Sequence, residues 1–135
     1  MTLELDSFEK AIASLAEALK AYREQPNDLI RDACIQRFEY TYEISHKMLK
    51  RYLEMTEASA DTIDGKTFPG LIRTSFEKGL LLHSWDVWSN YKDARNATAH
   101  TYNAEKAREV FKSIPGFLDE AQYILKELQG RANQT

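Results

Sequence analysis

From Leu29 to Met55 the sequence contains neither glycine nor proline, and its small and apolar side chains recur at steps of four or three: Ile30, Cys34, Phe38, Thr41, Ser45, Met48 and Tyr52, flanked by Ile44, Leu49 and Leu53. Residues spaced in this way share one face of an α-helix, and a run of this length fits no single strand. The segment predicts one long helix. Breakers are scarce elsewhere as well, with five glycines and three prolines in 135 residues, which favours a few long elements over many short strands.

The remaining helices follow from their caps. Asp6 with Glu9 three positions later reads as a reciprocal cap opening a first helix, which carries Phe8, Ile12, Leu15, Leu19 and Tyr22 on one face. Pro26, Asn27 and Asp28 end that helix and cap the second. The stretch from Glu57 to Thr67, with Ser59, Asp61, Asp64 and Gly65, reads as the main loop. Pro69 suits the first turn of a short third helix closed by Gly79, and Ser84 suits the cap of a fourth running to about His100. Asn103 suits the cap of the last, where Ala107, Val110, Phe111, Ile114, Leu118, Ala121, Leu125 and Leu128 continue to near Gly130. Pro115 and Gly116 interrupt this pattern without shifting its register, so a kink or brief break with no change of direction is expected. The expected class is all-α: an antiparallel up-and-down four-helix bundle with an additional short helix, forming one domain over 1–135.

Charge narrows the possible partners. Eighteen Lys and Arg against twenty-one Asp and Glu give a formal net charge of −3, whereas a protein that binds nucleic acid by bulk electrostatics carries a basic excess. With 43% hydrophobic and 29% charged residues the chain falls in the globular class. Cys34 stands alone, so no internal disulfide and no Cys-x-x-Cys site can form, and it reads as a small core residue. No basic leader followed by an apolar run is present, and no stretch approaches the roughly 18 apolar residues of a bilayer span. A cytoplasmic chain without membrane contact is the expectation.

Several chemistries lack their residues. His46, His83 and His100 lie on separate segments without metal-ligand spacing, and Gly65, Gly70 and Gly79 are scattered around a short helix; Lys66 and Thr67 do follow Gly65, but the glycine that opens a phosphate loop five residues earlier is replaced by Ala60. No Gly-x-Ser-x-Gly turn marks a serine nucleophile. Neither a metal nor a cofactor is expected.

The fourth helix is more telling. At 100° per residue, Trp88, Tyr91, Arg95, Ala99 and Tyr102 share one sector, which puts a guanidinium in the middle of an aromatic face. Asp93, Asn96 and His100 form a stripe beside it, Asn96 and His100 being one turn apart. Taken alone, Arg95 reads equally well as an ion pair with Glu39 or Glu43, its stem packed on Trp88. His100 alone reads as a cation at a helix C-terminus, and Tyr102 as a core or interface aromatic.

Together, Arg95-Asn96-Ala97-Thr98-Ala99-His100-Thr101-Tyr102 resembles the signature of the HEPN superfamily: Arg, a polar residue, three variable positions, His, one variable position, Tyr. The wider sequence, including Gln36-Arg37-Phe38-Glu39-Tyr40-Thr41-Tyr42-Glu43 and Tyr91-Lys92-Asp93-Ala94-Arg95-Asn96, is similar to the nucleotidyltransferase substrate-binding proteins, relatives of the HepT toxins paired with minimal nucleotidyltransferases. The resemblance implies a homodimer in which two motif helices meet, and a metal-independent ribonuclease cleft built from both copies. In that reading Arg95, Asn96 and His100 are catalytic, Asp93 supports them, and Tyr102 receives AMP from the nucleotidyltransferase partner, blocking the cleft. Imidazole titrates near neutrality and can move the proton of a ribose 2′-hydroxyl or of the leaving oxygen. Guanidinium can bind the phosphate and stabilise its growing charge, while Asn96 can orient His100 or contact a phosphate oxygen.

The family name implies an alternative, a non-catalytic subunit that holds substrate for a separate nucleotidyltransferase. A bundle with a vestigial motif is a third reading. Because Arg, polar residue, His and Tyr all match, the toxin reading is preferred. If RNA binds this acidic chain, the contacts must be local, from Arg95 doubled by dimer symmetry and helped by Lys47, Lys50 and Arg51, and nonspecific RNA affinity should be weak.

Overall fold

The computed structural model describes residues 3–57 and 67–132; the expected loop from Glu57 to Thr67 lies outside the described residues except at its two ends. Among the described residues there are five α-helices and no strand: α1 (Asp6–Glu24), α2 (Asp28–Thr56), α3 (Phe68–Glu77), α4 (Trp85–Ala97) and α5 (Ala104–Ala132), with a 3₁₀ turn over Thr98–His100. None of the described helices is long and apolar enough to cross a membrane.

The three residues between α1 and α2 force the two helices back on one another as an antiparallel hairpin. Polar bonds clasp the pair. Arg37 donates from Nη1 to the Ser14 carbonyl at 2.7 Å, Thr41 donates to the carbonyls of Arg37 and Ala11, and the Tyr40 and Ser14 hydroxyls bond each other. Phe8, Ile12, Leu15 and Leu19 of α1 are buried, as their spacing predicts. Tyr22 is only half-buried and leans on Phe111 of α5, with ring centroids 4.5 Å apart. Fully burying a side chain such as Leu15 or Phe8 is worth about 1.5–3 kcal/mol, so the apolar stripes dominate the packing.

An aromatic cluster places α4 between α2 and α5. Phe117 of α5 meets Phe38, Tyr42, Trp88 and Tyr91 at centroid distances of 5.1, 5.9, 5.9 and 5.4 Å. Three of the four pairs are edge-on, the arrangement aromatic quadrupoles favour. Phe68 extends the cluster onto α3, edge-on to Trp85 at 5.8 Å.

The caps match the sequence reading in part. Asn27 accepts from the Ile30 amide at 2.9 Å, Thr67 from the Gly70 amide at 3.2 Å, and Asn103 from the amides of Glu105 and Lys106. Gly79 closes α3 at φ +77°, where its amide reaches the Phe76 carbonyl and the Leu80 amide reaches Ser75. This is a Schellman ending, and the positive φ requires glycine.

Four expectations need correction. Leu5, not Asp6, is the residue before α1, so Asp6 and Glu9 act as first-turn charges favoured by the helix dipole. Ser84 occupies the cap position of α4 without a side-chain bond to the helix. The last helix is unbroken from Ala104 to Ala132 through Pro115, its neighbours holding the chain where the proline lacks a donor. Its buried face is also rotated slightly from the predicted one: Phe117 and Ile124 are fully buried, whereas Phe111 and Leu125 are half-buried.

Candidate functional site

The motif residues sit where α4 runs out. Asp93, Arg95 and Asn96 lie on its last turns, His100 on the 3₁₀ turn, and Tyr102 in the link to α5. Threonines make this ending. The Thr98 hydroxyl donates to the Arg95 carbonyl at 2.8 Å and the Thr101 hydroxyl to the Thr98 carbonyl at 3.0 Å. The Thr98 amide also bonds the Arg95 carbonyl, and the Asn103 amide reaches the His100 carbonyl at 3.2 Å. Carbonyls left over as the α-helix ends are thus satisfied locally.

The change of helix type overturns the single aromatic sector expected of α4. Trp88 and Tyr91 are buried and Arg95 partly so, but Ala99 is exposed and Tyr102 is 88% exposed. A wheel drawn to Tyr102 assumes α geometry that stops at Ala97. The one-turn contact between Asn96 and His100 fails for the same reason, and no hydrogen bond joins them among the described residues; both side chains face solvent. His100 and Tyr102 are near each other, their ring centroids 6.4 Å apart.

Arg95 takes the ion pair that its position on the wheel suggested. Its Nε donates to Glu43 Oε1 at 2.6 Å, a short charge-assisted bond, and its Nη2 lies 3.8 Å from Glu39 Oε1. Both carboxylates come from α2, one turn apart, and are about half exposed. Beneath them Tyr42 is buried. Burial first, then the Glu43 charge, pushes its hydroxyl pKa well above the ordinary value, with Arg95 acting the other way.

Asp93 sits elsewhere. It lines a groove of about 410 Å³ between α4 and α5 with Asn90, Ala97, Lys106 and Lys112, roughly 160° around the helix from Arg95. The site therefore gathers Arg95, His100 and Tyr102 at one end of the bundle, with Asn96 exposed beside them.

Sequence reasoning missed the carboxylate that supports this helix. Glu120 of α5 is 0% exposed. Its Oε1 accepts from the Trp88 indole at 2.7 Å and from the amides of Leu82 and His83, and its Oε2 pairs with His83 Nδ1 at 3.0 Å. Glu120 lies three residues after Phe117 and four before Ile124, on the side of the buried face that the stripe expected through Leu118, Ala121 and Leu125 leaves out. Nearby, Tyr91 is held neutral, burial and then Glu120 raising its pKa to about 12. Among the described residues no group of three or more His, Cys, Asp or Glu is placed to hold a metal ion.

Known proteins share both sequence and fold with this chain. A protein of Haemophilus influenzae called probable ribonuclease HepT is 38% identical over 104 residues, 77% of this chain and 70% of that protein. A Haemophilus influenzae structure, described as revealing the fold of a substrate binding domain of a nucleotidyltransferase, superposes with a TM-score of 0.86 at 32% identity, over 93% of this chain and 99% of that one. A crystal structure from Thermus thermophilus gives a TM-score of 0.73 at 37% identity, covering 90% and 98%. Residues 3–130 match the family described as nucleotidyltransferase substrate binding protein like, and with helices and relatives in agreement, the chain belongs to that family.

Proposed function

We propose that this protein is the toxin half of a HEPN toxin–antitoxin pair: a metal-independent endoribonuclease whose partner is a minimal nucleotidyltransferase. The observation that carries this reading is the pairing of a fixed Arg95 with an exposed His100 and Tyr102 at one end of the bundle. Neither His100 nor Tyr102 is consumed by the core. The relative's name, probable ribonuclease, supports the reaction class.

In this reading residues 1–135 act as one domain, in the cytoplasm and as a homodimer, so that two copies of the motif flank one RNA strand. His100 takes the proton of a ribose 2′-hydroxyl, whose oxygen attacks the adjacent phosphorus. The bond from phosphorus to the 5′-oxygen breaks, that oxygen collects a proton, and a 2′,3′-cyclic phosphate remains. Arg95 neutralises charge growing on the phosphoryl oxygens, and the exposed Asn96 contacts a phosphate oxygen. Asp93, on the groove side of α4, supports from a distance. Silencing falls to the partner. The Tyr102 hydroxyl attacks the α-phosphate of ATP, loses its proton, and releases pyrophosphate; exposure suits it as an acceptor.

Purified protein should cleave RNA in the presence of a chelator, and His100→Ala should abolish the cleavage. Wild-type protein that leaves RNA intact at high concentration overturns the reading. The alternative, a non-catalytic subunit presenting substrate to a nucleotidyltransferase, is favoured by the description of the Haemophilus influenzae structure and by the carboxylates already occupying Arg95. Under that alternative the nucleotidyltransferase co-purifies with this chain, and neither Arg95→Ala nor His100→Ala changes the growth of an overexpressing host.

A further inference from the structure

The two carboxylates that meet Arg95 do so unequally. Glu43 holds Nε at 2.6 Å, while Glu39 stands 3.8 Å from Nη2, beyond hydrogen-bonding distance. A guanidinium bound along its Nε side keeps its planar terminal Nη pair for a second, bidentate partner such as two oxygens of a phosphate. We infer that Glu43 is a positioning residue that aims the Arg95 fork, and that Glu39 is a displaceable competitor for the same fork, given up when a phosphate arrives. This inference rests on the phosphate-binding role proposed for Arg95.

Burial and charge support the division. Arg95 is 28% exposed and projects from the last α-helical turn, where a long side chain has many rotamers to sample. The rigid body of α2 presents Glu43 to it, and that bond selects one orientation. The same α2 face adds a second negative charge, so the guanidinium and its two carboxylates carry a net charge of −1 that opposes an anion. Releasing Glu39 to water relieves that opposition cheaply, since a loose, exposed pair contributes little. Releasing Glu43 would free Arg95 to swing. The two glutamates, one turn apart and alike in sequence, are therefore expected to respond oppositely to substitution.

The test uses the full chain, with kinetics on RNA under chelator and NMR of the Arg95 Nε–Hε group, assigned by its loss in Arg95→Lys. Glu43→Ala should lower kcat by about tenfold or more without a matching rise in KM, and should lose the protected Hε signal while helicity stays at the wild-type level. Glu43→Gln, whose carboxamide oxygen still accepts, should fall between Glu43→Ala and wild type. Glu39→Gln should keep the Hε signal and lower KM about threefold. Inorganic phosphate should perturb the Arg95 resonances at lower concentration in Glu39→Gln than in wild type. Should wild-type protein fail to cleave RNA, the ribonuclease reading falls, while the Hε signal and the phosphate titration still decide this proposal. A Glu43→Ala variant that keeps wild-type kcat, or a Glu39→Gln variant that binds phosphate more weakly, overturns it.

Discussion

The indole Nε1–H of Trp88 donates to Glu120 at 2.7 Å, so the helix carrying Arg95 is tied to α5 by a polar bond at the centre of apolar packing. The same carboxylate receives the Leu82 and His83 amides just before α4 begins. It thus supplies part of what the unbonded Ser84 hydroxyl does not, fixing the entry to the helix.

Removing that carboxylate should be costly. Glu120→Ala leaves the buried Trp88 indole and the Leu82 and His83 amides without their acceptor, a loss of about 3 kcal/mol. The melting temperature should fall by roughly 10 °C. Glu120→Gln should lose less, because its carbonyl oxygen can take over the Oε1 position that accepts most of these bonds. Urea denaturation of the two variants beside wild type gives the comparison.

Asn103→Ala should uncap α5 and lower stability by about 1 kcal/mol. The Asn103 backbone amide keeps its bond to the His100 carbonyl in the variant, so the loss should be concentrated at the start of α5. Hydrogen exchange at the amides of Glu105 and Lys106, whose bonds to the Asn103 side chain vanish, should speed up more than exchange in the middle of α5.

His46 should make the fold acid-sensitive. Its ring meets Phe68 edge-on at 4.6 Å, and burial lowers its pKa below the ordinary 6.5, with Glu43 opposing and Lys50 assisting. Above that ordinary value neither the folded nor the unfolded chain holds the proton. Below it the unfolded chain binds more, so stability falls with pH until the folded pKa is passed. His46→Leu should remove this component, narrowing the difference between urea midpoints measured at neutral and mildly acidic pH.

Gly79→Ala should destabilise the α3 ending by about 1 kcal/mol, because the backbone there has φ +77°. The added Cβ would lie 3.2 Å from Arg131 Nη2, the atom that donates to the Lys78 carbonyl at 2.6 Å. Gly79→Asn should be better tolerated at the same φ. Thermal melts of the two variants rank them.

Helix number, order and most boundaries were legible because local chemistry writes them: Asn27 and Asn103 cap within three residues of their own positions, and Gly79 turns the chain where it stands. The pairing of Arg95 with Glu39 or Glu43 was legible too, since both helices keep α geometry through those residues. Two features were not. Glu120 finds its partners 32 to 38 residues away, and adjacent to Asp119 it reads as one more solvated charge. The placement of His100 and Tyr102 depended on a change of helix type after Ala97 that threonine hydroxyls stabilise, and hydrophobic period does not encode such a change.

The 3₁₀ turn from Thr98 to His100 has a metrical consequence. Three residues rising about 2.0 Å each advance the chain by about 6 Å, as far as four residues at about 1.5 Å in α geometry. One residue inserted between Ala97 and His100 could therefore be absorbed by unwinding the tight turn into α-helix, leaving the imidazole at the same height above Arg95. The rotation would differ by only about 40°, the gap between three steps of 120° and four of 100°. The count of residues between the guanidinium and the imidazole is elastic by one, while the distance they span is kept.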